Sequence, residues 1–164
     1  MHIRTVADPA MGAGENRDSG CLIDREKSST LKHRPSSAER IHMPYVLVVD
    51  DEQAIRQLLT RWLESWGYAV KQAGGANQAL EVMSQEPASI MLCDVKMPEH
   101  DGLWLIEQVR ARWPKTAVIM ATSVDDFQTV MRSRQDGAVD YVTKPFGREL
   151  LLQALRRASE ALEK

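Results

Sequence analysis

Three acids in a row, Asp50, Asp51 and Glu52, directly follow the apolar run Val46–Val49 in "VLVVDDEQAIRQLL". Carboxylates held close together repel by about 4 kcal/mol per pair at an effective dielectric near 20. The chain must therefore supply or bind compensating positive charge. Three further polar residues stand in the same relation to apolar runs: Asp94 ends "SIMLCD", Thr122 is the last residue but one of "TAVIMATS", and Lys144 follows "AVDYVT". Such a set offers hard oxygen ligands for a divalent cation, a carboxylate nucleophile and a fixed ammonium. Each residue alone has a plainer account. Acids before a helix favour its N-terminus, threonine is an ordinary strand residue, and a lone lysine is normally solvated. The plain accounts do not explain the four together.

The elements that must position them alternate along the chain. Tyr45–Val49 reads as a short buried strand, and Ile55, Leu58, Leu59, Trp62, Leu63 and Trp66 then recur at helical spacing until Gly67. Tyr68–Ala73 is a second strand, Ala76–Gln85 a short helix, and Ser89–Asp94 a third strand. A helix from about Leu103 to Arg112 stops before Pro114, Thr116–Ser123 is the fourth strand, and Asp125–Gln135 is helical up to Gly137. Ala138–Thr143 is the fifth strand, and the final helix carries Leu150, Leu151, Ala154, Leu155, Ala158 and Leu162. Five strands alternating with five helices predict an α/β fold: a doubly wound, flavodoxin-like (βα)5 sandwich around a parallel sheet. Ligands of such sheets bind beyond the carboxyl ends of the strands. That rule puts Asp50, Asp51, Asp94, Thr122 and Lys144 on one rim.

With 164 residues and 43% apolar content, the chain has room for one ordinary domain with a real core. A net charge of −2 argues against an extended nucleic-acid surface, and no apolar run is long enough for a membrane span. Residues 1–43 are rich in Ser, Arg, Glu, Gly, Asp and Pro without persistent periodicity, so they read as a disordered tail. Met43, directly before the first strand, is a candidate start. Cys93 ends an apolar run and reads as a core residue, whereas Cys21 lies in the polar tail. This cysteine usage fits a reducing cytoplasm rather than a disulfide framework. The four histidines show no ligand spacing.

Together, "VVDDE", "CDVKMPEHDG", "MATS" and "YVTKPF", each at a strand end and in this order, resemble the receiver domain of two-component response regulators over residues 44–164. The resemblance implies a strand order of 2-1-3-4-5 and a phosphoryl group accepted by Asp94 with Mg2+. Asp51, Asp94 and the Lys96 backbone carbonyl would bind the ion directly, and Asp50 through water. It also implies that Lys144 pairs with Asp94 or with the phosphoryl oxygens, that Thr122 meets a phosphoryl oxygen, and that the Lys144–Pro145 bond is cis. Tyr141 matches an aromatic switch position, and the expected signalling face comprises the fourth helix, fifth strand and fifth helix. Ser123 departs from the small residue that the resemblance implies after Thr122 and narrows access to the phosphate. The implied donor is a sensor histidine kinase or a histidine phosphotransfer protein, and phosphorylation-dependent homodimerisation is a further expectation. The chain is thus expected to be a signalling acceptor rather than a turnover enzyme.

Two other chemistries share parts of this pattern. A haloacid dehalogenase-type phosphohydrolase also uses an aspartyl phosphate, but it needs D-x-D after the first strand, and Glu52 occupies the place of the second Asp. An FMN carrier of similar architecture needs a hydroxyl- and Gly-rich loop there, which "DDEQA" does not offer. No output motif follows the last helix. The expectation is a single-domain regulator or a receiver belonging to a longer protein.

Overall fold

The computed structural model describes residues 44–126, 128, 131–132 and 137–164. The expected N-terminal tail, residues 1–43, lies outside the described residues. β1 (Tyr45–Val49), β2 (Ala69–Ala73), β3 (Ile90–Asp94), β4 (Ala117–Ser123) and β5 (Asp140–Lys144) form one parallel sheet. Its order is β2-β1-β3-β4-β5, the doubly wound topology expected from the alternation. Helices α1 (Gln53–Ser65), α2 (Ala76–Gln85), α3 (Gly102–Arg112) and α4 (Arg148–Leu162) cover it. Among the described residues, no helix is long and apolar enough to cross a membrane.

Strand alternation divides the core into two layers. Leu47, Val49, Met91, Cys93, Val118 and Met120 face α2 and α3, meeting Ala79, Met83, Leu105, Ile106 and Val109. Val48, Leu92, Ile119, Ala121 and Val142 face α1 and α4, meeting Leu59, Leu63, Leu151, Ala154 and Leu155. Each fully buried Leu, Ile or Met contributes about 1.5–3 kcal/mol relative to exposure, so these layers hold the strand ends in register. β1 and β3 are buried along almost their whole length because helices cover both faces. α1 ends as expected at Gly67, which adopts φ +88° and donates its N–H to Glu64 O at 2.9 Å.

The boundaries differ slightly from the sequence expectation. β5 starts at Asp140 rather than Ala138 and includes Lys144, because its register on β4 runs from Ile119↔Asp140 to Ser123↔Lys144. After β4, Val124–Asp126 forms a 3-10 turn. Residues 127, 129, 130 and 133–136 of the expected Asp125–Gln135 helix lie outside the described residues.

Candidate functional site

The strands end together, and their terminal residues converge as the sheet rule requires. Asp50, one residue beyond β1, is 2% exposed. Its Oδ1 accepts the Glu52 N–H at 2.9 Å, and its Oδ2 accepts Lys144 Nζ at 2.8 Å. Both carboxylate oxygens are therefore engaged, which is how a charge this buried avoids a prohibitive desolvation cost. Asp51 is exposed. Glu52 is the N-cap residue of α1, but its side chain makes no capping hydrogen bond. The acidic run is therefore not explained by side-chain capping through Glu52. Arg56, one turn into α1, donates from Nη1 to the backbone carbonyls of Asp50 at 2.6 Å and Asp51 at 3.2 Å. It fixes the acidic loop from behind.

Asp94 is the last residue of β3, and its side chain is 12% exposed. Lys144 Nζ lies 3.4 Å from its Oδ1, so one ammonium bridges the carboxylates of Asp50 and Asp94. Burial pushes the Asp94 pKa above the ordinary carboxylate value; Lys144 and the Lys96 N–H oppose the rise, and the Asp50 charge adds to it. Burial alone would lower the pKa of Lys144. The hydrogen bond to Asp50 and the charges of Asp94 and Asp50 outweigh it and raise the value.

Asp50, Asp51 and Asp94 each offer an oxygen within 4.8 Å of the others. The donor set is all oxygen and graded from buried to exposed, and among the described residues Lys144 is the lysine in ion-pair contact with it. That chemistry suits a hard divalent cation such as Mg2+, which takes few carboxylates and keeps several waters.

The remaining expected residues divide into two groups. Thr122 is 1% exposed and follows Ala121, the register partner of Asp94; its hydroxyl donates to Ser123 O at 3.3 Å. Tyr141 is half-buried and packs against the α2–α3 layer, with its N–H donating to Asp140 Oδ1 at 2.9 Å. The Lys144–Pro145 bond is cis, as the resemblance implied. The Lys96 ammonium contacts Asp126 Oδ2 at 2.8 Å, and the Ser123 hydroxyl donates to the same oxygen at 3.0 Å. His100 stacks on Trp104 with ring centroids 3.8 Å apart, a packing role rather than ligation. Cys93 is fully buried, and burial pushes its thiol pKa up, consistent with a core residue.

Gly102 and Arg56 were not singled out from the sequence. A Cβ at Gly102 would sit 2.3 Å from the Asp94 carbonyl oxygen and 2.8 Å from Met120 Cε, so only glycine lets α3 start this close to the site. The "DG" pair in "PEHDG" was a signal for it. Asp101 is the N-cap of α3 and accepts the Trp104 N–H at 2.8 Å, so the helix has to begin at the next residue.

Comparison with known proteins agrees with this architecture. The family model described as "Response regulator receiver domain" matches residues 46–156. The C4-dicarboxylate transport transcriptional regulatory protein DctD of Rhizobium meliloti is 35% identical over 117 residues, covering 71% of this chain and 25% of that protein. The transcriptional regulatory protein ZraR of Escherichia coli is 34% identical over 113 residues, covering 69% of this chain and 26% of that protein. The chain thus spans about a quarter of the length of these curated relatives. Among solved structures, the Vibrio cholerae chemotaxis protein CheY4 shares the fold with a TM-score of 0.66 and 30% identity, covering 71% of this chain and 98% of that one. The receiver domain of NtrX from Brucella abortus matches with a TM-score of 0.66 and 28% identity, covering 73% and 98%. With the family model matching well over half of its residues, this chain belongs to the response regulator receiver domain family, the phosphoacceptor module of two-component signalling.

Proposed function

We propose that Asp94 is the phosphoacceptor, taking a phosphoryl group from the phosphohistidine of a sensor kinase or histidine phosphotransfer protein. One observation carries the reading. Three carboxylates lie within 4.8 Å of one another, and Lys144 bridges the buried Asp50 and Asp94 at 2.8 and 3.4 Å. An Asp94 oxygen forms a bond to phosphorus as the donor's P–N bond breaks, and the departing imidazole takes up a proton. Transfer of this kind depends on alignment and charge neutralisation more than on covalent help from the protein. Asp51, Asp94 and the Lys96 carbonyl would hold Mg2+ directly and Asp50 through water; the bound ion would neutralise and align the phosphoryl oxygens. Lys144 Nζ and the Thr122 hydroxyl would take the remaining phosphoryl charge.

The proposed consequence is a switch. Thr122 moves toward the phosphoryl group and Tyr141 fills the vacated space, biasing two packings of one bistable element. The output face is then β5, the segment preceding it and α4, a region that exposes Met131, Val139 and Leu150. Such apolar residues suit a partner or a second phosphorylated copy. In this reading the chain acts in the cytoplasm as a signalling acceptor and binds no nucleic acid itself.

The test is intact-mass analysis after incubation with acetyl phosphate and Mg2+. One hydroxylamine-sensitive phosphoryl group should be added, and both EDTA and Asp94→Asn should abolish it. Equal labelling of Asp94→Asn would refute the site. Hydrogen exchange with a beryllofluoride mimic should change mainly over residues 122–160; changes confined to residues 52–85 would place the output elsewhere.

A further inference from the structure

Lys96 and Asp126 lie on the two loops that flank Asp94. Lys96 is two residues beyond the acceptor, and Asp126 sits in the 3-10 turn after β4. These loops hang from adjacent strands: Asp94 is paired with Ala121, and the Val95 N–H donates to Ala121 O at 2.9 Å. The Lys96–Asp126 contact at 2.8 Å, joined by Ser123 at 3.0 Å, therefore ties the rim of β3 to the rim of β4. The Asp126 side chain is 20% exposed and that of Lys96 is 70% exposed, so the acid is the fixed post and the lysine the movable arm. The hydrogen bond from Lys96, then that from Ser123, holds the Asp126 carboxyl below its usual range. Lys96 also feels the charge of Asp94.

We infer that Asp126 is a positioning residue that holds Lys96 and Ser123 as a latch across the mouth of the site, limiting how fast a phosphodonor reaches Asp94. The inference rests on Asp94 being the acceptor. The donor is an anion. While the latch is closed, Asp126 neutralises Lys96 and the two loops are held together. When it opens, the Lys96 charge is available to attract the donor, and charges at a cleft mouth act chiefly on association rate. Asp125 is a built-in control. It is an exposed neighbouring acid whose charge Lys96 also feels, but the hydrogen bonds from Lys96 and Ser123 go to Asp126.

The experiment measures initial phosphorylation rates of the full chain with acetyl phosphate and Mg2+ by intact mass. The variants are Asp126→Asn, Asp126→Glu, Asp125→Asn, Lys96→Ala and the Lys96→Ala/Asp126→Asn pair. Asp126→Asn should react roughly two- to fivefold faster than wild type, the range of an exposed ion pair. Asp126→Glu should restore the wild-type rate, and Asp125→Asn should change it much less than Asp126→Asn. In the Lys96→Ala background, Asp126→Asn should have a much smaller effect, that of its remaining bond to Ser123, since coupled residues are not additive. Equal acceleration by Asp125→Asn and Asp126→Asn would reduce the effect to general charge and overturn the latch. So would an undiminished Asp126→Asn effect without Lys96, or a labelled wild type with unchanged variant rates. A wild type that takes no label, or one labelled elsewhere than Asp94, would overturn the phosphoacceptor reading and the latch with it.

Discussion

Replacing Lys144 by Met removes the ammonium that joins Asp50 to Asp94 while keeping most of the apolar stem. At an effective dielectric near 20, contacts of 2.8 and 3.4 Å correspond to attractions of about 6 and about 5 kcal/mol. Desolvation of the three groups offsets much of that sum, and removing one partner of a buried pair typically costs about 3–5 kcal/mol. Lys144 is 25% exposed and Asp94 12%, so solvent screening places the expected loss near the lower bound, about 3 kcal/mol near neutral pH. Urea unfolding in EDTA, followed by tryptophan fluorescence, measures it. The Asp94 pKa is raised, so the folded state binds that proton more readily than the unfolded state. Its own penalty is full above the raised folded value and absent below the unfolded one. As pH falls through that window Asp94 becomes neutral, Lys144 loses one partner, and the deficit of Lys144→Met should shrink. On the alkaline side, the raised Lys144 pKa makes its stabilisation full below the unfolded lysine value and lost as pH rises through the folded one. The paired variant Asp50→Asn/Lys144→Met should recover part of the loss, because it removes the orphaned buried charge. A deficit under about 1 kcal/mol, typical of a surface pair, or one that does not shrink in acid, would refute the reasoning.

Asp51→Asn should melt higher than wild type in EDTA near neutral pH, because it removes one of three crowded charges, and should gain little from Mg2+. Wild type should gain about 2.7 kcal/mol at one hundred times the dissociation constant; a variant that melts lower in EDTA and keeps the full Mg2+ gain would mean the acids serve the helix instead. Gly102→Ala places a Cβ 2.3 Å from the Asp94 carbonyl, so α3 and β3 must shift. The expected loss is about 1–3 kcal/mol with slower phosphorylation, and unchanged melting and labelling would show that the close approach is immaterial.

Much of this was legible in the sequence because the signals are local. The apolar runs before Asp50 and Asp94, and the helical spacing of Leu59 and Leu63, follow periodicities that the sheet and α1 reproduce. The rim position of Asp50, Asp94, Thr122 and Lys144 followed from topology, since parallel strands end on one side. Contacts that depend on register and loop path were not legible. Nothing in "DVKMP" and "SVDD" says that Lys96 meets Asp126, because that distance is set by how β3 pairs with β4. Nor does the sequence show that Arg56 holds the Asp50 and Asp51 carbonyls, because that contact depends on the path of the loop before α1. The start of β5 was placed early because Ala138 and Val139 continue its apolar run, although neither belongs to the strand.

The Lys144–Asp50 pair joins residues 94 positions apart, from the first strand of the sheet to the last. In the sheet order, β3 and β4 stand between the two strands that carry them. During folding, the acidic loop therefore stays uncompensated until β5 docks on the opposite edge, and this closure is among the longest-range in the domain. A nascent chain that has emerged only as far as β4 holds all three carboxylates but lacks their lysine. Completion of the acidic site thus coincides with completion of the sheet, and a fragment ending before Lys144 carries Asp94 without the cation that bridges it to Asp50.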